Sequence, residues 1–402
     1  MSDIASTDHA LAAPATPAWI TLLLATACGL IVANLYYAQP LIGLISADLG
    51  MTPGAAGLIV TMTQIGYGTG LLLLVPLGDL VENRKLVLCV MSVATIALVG
   101  LLLARNSVQF LACALCIGLG SVAVQILVPY AAHLAPEATR GRVVGNVMSG
   151  LMVGIMLARP VSSLITYVSS WHVVFALSIA VMIALGIVLA RALPARQPAP
   201  GPSYGGLLRS MVHLVRTTPV LRRRALYQAC MFGAFSLYWT TSPLWLASPT
   251  FGLSQSGIAW VALAGVAGAI SAPLAGRIAD RGWSRPASGI AMALAAIAFL
   301  LTHIATPGST LSLALLIAAA VVLDFGVTAN LVLGQRMIYV LGAEYRSRLN
   351  GLYMATFFVG GAMGSAVGAW AFAHGGWTMA SWIGFALPVM ALLYFTTERR
   401  PA

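Results

Sequence analysis

In a chain of 402 residues, 60% hydrophobic and only 8% charged, there are too few ionic side chains to clothe a soluble globular surface, which ordinarily needs about a quarter of its residues charged. The formal net charge of +11 could suit a nucleic-acid partner, but the 21 Lys and Arg lie scattered in short loops between apolar runs, which excludes that partner and implies a lipid bilayer.

Residues 1–17 are polar and Pro/Ala-rich without a basic leader pattern, and read as a disordered cytoplasmic tail before an uncleaved first span. Apolar segments of about 20 residues, enough for a helix to cross ~30 Å of hydrocarbon, follow at 18–39, 55–77, 86–104, 108–131, 143–166 and 172–191. A second set runs at 225–246, 256–276, 286–305, 311–335, 349–372 and 377–396. An N-terminal bundle of six helices (18–191) and a C-terminal bundle of six (225–396) are therefore expected, with a short cytoplasmic tail at 397–402. If the N-terminus is cytoplasmic, every Lys and Arg except Arg105 and Arg159 falls on the cytoplasmic side, which fixes the orientation. Lys85 is the only lysine among the basic residues, a bias toward arginine that hints at a GC-rich bacterial source and thus at the inner membrane.

The halves are joined by 192–224, opened by Pro194, Pro198, Pro200 and Pro202 and closed by Arg222, Arg223 and Arg224. Within it Leu207, Leu208, Met211, Val212, Leu214 and Val215 alternate with Arg209, His213 and Arg216. That spacing predicts a basic amphipathic helix on the inner leaflet, a solvated tether being the alternative. Cys28, Cys89, Cys113, Cys116 and Cys230 all fall in apolar segments and are expected to pack as small hydrophobes. The Cys113–Cys116 pair lacks a second Cys pair or a nearby His, so neither a metal nor any other cofactor is expected.

The halves repeat each other roughly two hundred residues apart. Leu35-Tyr36-Tyr37-Ala38-Gln39-Pro40-Leu41 returns as Leu237-Tyr238-Trp239-Thr240-Thr241-Ser242-Pro243-Leu244. Pro76-Leu77-Gly78-Asp79 is echoed by Ala275-Gly276-Arg277-Ile278-Ala279-Asp280, and the Arg140/Arg142 loop by Arg346/Arg348. Duplicated membrane halves usually mean transport.

Together with twelve spans, the strings Asn34-Leu35-Tyr36-Tyr37-Ala38-Gln39-Pro40-Leu41 and Pro76-Leu77-Gly78-Asp79 resemble the major facilitator superfamily over residues 18–396, and within it the drug and metabolite efflux branch similar to arabinose-efflux-type permeases. The resemblance implies an all-α membrane fold of two pseudo-symmetric six-helix bundles around a central cavity. It also implies a cytoplasmic gate built from Asp79, Arg84, Arg140 and Arg142 and, in the second half, Asp280, Arg281, Arg346 and Arg348. Topology-setting charge is the plainer account of the same residues. The first loop departs from the family pattern, with Val75 in place of Gly and a longer Asp79-to-Arg84 spacing, whereas Gly276-Arg277-Ile278-Ala279-Asp280-Arg281 lies closer to it. Span 5 resembles the antiporter signature in Gly145 and Gly154 but departs at Ala158, Arg159, Pro160, Ser162 and Ser163. Gly360, Gly364 and Gly368 form a small-residue face on span 11, for which close helix packing is a sufficient account. The family's span-4 arginine is absent, Ala114 standing in its place.

A charge at mid-bilayer costs about 2.5–3.5 kcal/mol or more, which makes Asp324 in span 10 and Arg159 in span 5 the candidate proton-coupling residues. A static pair or a helix-end role for Asp324 is the competing explanation. Candidate substrate-binding residues are Asn34, Tyr37, Gln64, Tyr67, Gln125, Thr328, Asn330 and, at helical spacing along span 7, Gln228, Phe232, Phe235 and Trp239. His133, His172, His303 and His374 fall near span ends and are not expected to couple. No His-Glu-x-x-His run and no paired intramembrane carboxylates appear, which argues against an enzyme. The expectation is a monomeric secondary transporter that exports a small organic compound in exchange for protons, with proton symport for uptake as the alternative.

Overall fold

The computed structural model describes residues 17–137, 139–198, 203–267, 271–342 and 345–398, apart from the side chains of Ala272, Ala279 and Asp280. The expected tail at 1–16 and the last four residues lie outside this description. Span 1 is helical over Ala18–Ala33 and then breaks: Pro40 lacks an N–H and its ring obstructs the preceding turn. Asn34 seals the break by donating its amide to the carbonyls of Leu30 and Ile31, both at 3.2 Å. A 3-10 turn at Gln39–Leu41 and a helix at Ile42–Asp48 carry the span beyond residue 39, where the hydropathy pattern ended it.

Spans 2 to 6 occupy Pro53–Asp79, Asn83–Leu102, Ser107–Leu134, Arg140–Val168 and Trp171–Ala192. Span 7 is Pro219–Ala247, span 8 is formed by Gln255–Gly265 and Ser271–Asp280, and spans 9 and 10 are Ser284–Leu301 and Thr310–Tyr339. Spans 11 and 12 run through Arg346–Thr396 and are parted by non-helical Gly375 and Gly376, the latter at φ 61°, a conformation glycine adopts without strain. The result is two bundles of six spans, an all-α membrane architecture. Ile96, Val108 and Leu177 are among the large apolar side chains exposed on the outside, as a lipid-facing surface requires.

Glycine sets the packing within each bundle. A Cβ on Gly154 would lie 2.2 Å from the Gly29 carbonyl oxygen, locking span 5 to span 1. One on Gly364 would lie 2.0 Å from the Gly233 oxygen, locking span 11 to span 7. Gly360 and Gly368 press on the same helix at Ala229 and Leu237, so the small-residue face of span 11 is a packing surface. Gly145 of the antiporter-like pattern faces open space.

Near Gly57 and Ser365 the two bundles are in contact. Thr61 of span 2 hydrogen-bonds Ser365 of span 11 at 2.7 Å, and Gly57 admits the Ser365 backbone. At the opposite end of the spans the bundles part around a cavity of about 260 Å³, lined by Leu71, Val75, Gln125, Val144, Tyr339 and Asn350 among others, the end that the loop charges predict to be cytoplasmic.

The linker helix forms over Tyr204–Thr217. Leu207, Met211 and Leu214 are buried against protein, while Val212 and Val215 stay exposed beside Arg209, His213 and Arg216. It touches both halves: Tyr204 donates to the Leu73 carbonyl at 2.9 Å, and Arg348 donates to Ser210. Half of the apolar stripe assigned to the membrane surface is thus covered by the spans. All five cysteines are free thiols.

Candidate functional site

Pro160 follows Arg159 inside span 5, and the helix runs on through both while presenting Arg159 to the bundle interface, where it is 4% exposed. Its guanidinium carbon sits 4.4 Å from the centre of the Trp239 ring, 5.0 Å from Phe235 and 5.3 Å from Tyr36. Its Nε donates to Gln39 Oε1 at 2.8 Å. On span 10, Asp324 accepts a hydrogen bond from Trp239 Nε1 at 2.9 Å. The two mid-span charges therefore come from different bundles and converge on one indole, Arg159 against its face and Asp324 against its N–H edge. A direct Arg159–Asp324 ion pair is not present among the described residues, where the ion pairs are Asp48–His172 and Arg224–Glu398.

Gly265 on span 8 makes room for this arrangement. A Cβ there would stand 2.7 Å from Trp239 Cζ2 and 3.4 Å from Asp324 Oδ2. Below Trp239, the expected stripe on span 7 forms a continuous column. Phe235 stacks on Phe232 at 5.2 Å, and Phe232 on Phe357 at 3.6 Å. At its foot Gln228 accepts from Asn330 at 2.7 Å and donates to the Val327 carbonyl at 3.3 Å.

Gln64 crosses between bundles, donating to Ser236 at 2.9 Å, while its Oε1 has no partner among the described residues. Gln125 donates to the Tyr67 hydroxyl at 3.0 Å, and the Tyr67 ring packs on Phe358 at 4.4 Å. Gln125 also lines the cavity between the bundles, so a chain of ring contacts connects its partner Tyr67 through Phe358, Phe232 and Phe235 to Arg159.

Other sequence candidates lie elsewhere. Asn34 spends both its amide and its oxygen inside the N-terminal bundle, accepting from Ser178 at 2.5 Å. The side chains of Tyr37 and Thr328 are half-buried and make no hydrogen bond among the described residues. Tyr36 and Gln39, which do meet Arg159, were visible only as neighbours of Tyr37. Their spacing of three on a helical turn was the available signal.

In the loops expected to form the gate, the side chains of Asp79 and Arg142 are exposed and make no hydrogen bond or ion pair among the described residues. The carboxylate that caps a helix start is Glu82, which accepts from the backbone N–H of Arg84 at 2.8 Å and Lys85 at 3.1 Å. Partial burial pushes its carboxyl up, but these donors, the Arg196 N–H and the Arg84 charge outweigh that and hold it below the usual Glu range. Arg84 donates to the Leu193 carbonyl at 3.1 Å, Arg140 to Ala132 at 3.1 Å and Arg346 to Tyr339 at 3.3 Å. The Arg281 side chain is exposed, and that of Asp280 is outside the described set.

Comparison with known proteins adds a family. The profile of the Major Facilitator Superfamily matches residues 22–315 and 225–402. The chain is 39% identical over 382 residues to "Uncharacterized transporter YgaY" of Escherichia coli O157:H7, covering 94% of this chain and 95% of the relative. It is 34% identical over 357 residues to "Probable transporter SCO4007" of Streptomyces coelicolor, covering 88% and 82% respectively. Among solved structures, that of a point mutant of the nucleoside transporter NupG superposes with a TM-score of 0.74 at 12% identity, covering 94% of this chain and 99% of that one.

Proposed function

The chain belongs to the Major Facilitator Superfamily, and from that premise we propose that it is a proton-coupled secondary transporter of a small organic solute, residues 18–191 rocking against 225–396 about the Arg159–Trp239–Asp324 cluster. One observation carries the reading: the two charges placed deep in the spans belong to opposite bundles and share one indole between them. Side chains so costly to bury are kept for function. Rocking changes the separation of spans 5 and 10, and with it the relative stability of charged and protonated Asp324. At an effective dielectric constant of about 20, moving two unit charges from roughly 5 to 10 Å apart changes their energy by about 1.7 kcal/mol, somewhat more than tenfold in a protonation equilibrium. Protonation thereby biases one bundle arrangement over the other.

Export in exchange for protons, the direction that the resemblance suggests, requires substrate and proton to compete at Asp324. A second direction, co-transport, is favoured by the bonding of Asp324 to Trp239, which leaves Arg159 Nη2 without a partner among the described residues. A proton on Asp324 would then assist an acceptor-bearing substrate rather than expel it. In either direction the loop charges at Asp79, Arg84, Arg140, Arg142, Asp280, Arg281, Arg346 and Arg348 would meet when the cytoplasmic cavity closes. The location is the inner membrane, with both termini cytoplasmic and a monomer as the working unit.

The test is proton movement in proteoliposomes on addition of amphipathic drugs, nucleosides, sugars and organic acids, for the parent and Asp324→Asn. A solute-driven proton signal absent from the variant supports coupling through this carboxylate, and the sign of the signal distinguishes exchange from co-transport. Solute flux without protons, or a variant indistinguishable from the parent, refutes it.

A further inference from the structure

The hydrogen-bonding inventory of the cluster is unbalanced in one direction. Arg159 is 4% exposed and Gln39 1% exposed, and both carry a buried donor nitrogen, Nη2 and Nε2, with no acceptor among the described residues. The assignment of the Gln39 amide is unambiguous, because a guanidinium can only donate, so the oxygen must face Arg159 Nε and the nitrogen must point elsewhere. Asp324 does not supply the missing acceptor through Oδ1, which is held by Trp239. The positive charge is flanked by the Tyr36, Phe235 and Trp239 rings, which attract a cation but accept no strong hydrogen bond from it. A buried, unpaired guanidinium donor is costly to keep.

We propose that Arg159 Nη2 and Gln39 Nε2 bind the carboxylate of a small aromatic acid, whose ring lies against the aromatic column of span 7. Two donors beside a buried positive charge call for an anionic acceptor, and a planar guanidinium suits a carboxylate better than a neutral carbonyl. The buried rings of Trp239, Phe235 and Phe232 supply an apolar, aromatic wall beside the head-group site. This substrate class rests on reading the cluster as the transport site, but not on proton coupling.

The probes are radiolabelled benzoate, with benzamide as the neutral match, benzylammonium as the cationic match and decanoate as an acid without a ring. Binding is measured on the purified full-length protein in detergent, with thermal midpoints confirming that each variant is folded. Saturable benzoate binding is expected, with benzamide and benzylammonium at least about tenfold weaker and decanoate weaker than benzoate. Arg159→Lys should lose about tenfold or more, and Gln39→Met less. Asp324→Asn should bind benzoate more tightly while leaving benzamide unchanged, because it removes a like charge near the anion. Should Arg159→Lys fail to fold, this last contrast decides. Benzamide binding as well as benzoate, no saturable benzoate binding, or a folded Arg159→Lys equal to the parent overturns the assignment. Benzoate binding without proton movement in proteoliposomes would leave it standing and refute the coupling, whereas proton-coupled flux of neutral solutes alone would do the reverse.

Discussion

Replacing Gly265 by alanine should disable the charge cluster without touching a charged residue. The added Cβ would lie 2.7 Å from Trp239 Cζ2 and 2.9 Å from Cη2, against an ordinary carbon contact of about 3.5 Å, so the ring must retreat by about 0.8 Å. It has little room to do so, being 2% exposed and held by Phe235, Tyr238 and Arg159. A shift of that size along the bond would take the 2.9 Å contact from Trp239 to Asp324 beyond hydrogen-bonding distance. Overpacking costs about 1–3 kcal/mol and losing a bond to a charged group about 1.5–3 kcal/mol. The better helix propensity of alanine returns up to about 1 kcal/mol, leaving a net destabilisation of roughly 1.5–6 kcal/mol. The assay pairs the thermal midpoint in detergent with solute-driven proton flux. Gly186→Ala is the control, since a Cβ there meets nothing within 4 Å. Loss of several degrees and of coupled flux is expected for Gly265→Ala and neither for Gly186→Ala. A Gly265→Ala protein matching the parent in both would show that the indole is not wedged as described.

Other substitutions probe the frame. Gly364→Val should prevent span 11 from seating on span 7, because its Cβ would meet the Gly233 carbonyl at 2.0 Å, whereas Gly145→Ala, facing open space, should leave the yield of folded protein unchanged. Glu398→Gln removes the partner of Arg224, which is 3% exposed and paired at 2.9 Å. Stranding that charge should cost about 3 kcal/mol, seen as a lower thermal midpoint. Glu82→Ala should cost about 1 kcal/mol at neutral pH through the lost helix cap. Because the folded carboxyl titrates below its unfolded value, this stabilisation is complete above the ordinary Glu range near pH 4.3 and fades as pH falls through the folded value. The parent and variant midpoints, measured from pH 7 down to about 3.5, should therefore converge on acidification.

What the amino-acid sequence determined by itself was set by terms that add residue by residue. Apolar length located the spans, and the cost of charge in hydrocarbon singled out Asp324 and Arg159 before any neighbour was known. Where a local term was non-additive the pattern faltered. Pro40 interrupts span 1 without ending it, and the span continues to Asp48. The break at Gly375 and Gly376, by contrast, falls between 349–372 and 377–396, where the apolar pattern had already parted the last two spans.

The partners of the charged residues belonged to the tertiary structure. Arg159 reaches Gln39 from a segment 120 positions away, and Asp324 reaches Trp239 across 85. Tyr36 rather than Tyr37 faces the guanidinium because a single residue rotates the side chain by about 100° around the helix. The same packing turned Asn34 inward to Ser178 and left Asp79 exposed. Which face a helix shows its neighbour depends on how closely the two backbones approach. Here that is settled by glycines paired across distant spans, Gly29 with Gly154 and Gly233 with Gly364, and by Gly265 beneath the Trp239 ring. Hydrophobicity is a property of one segment at a time, whereas these contacts exist only once two segments have met.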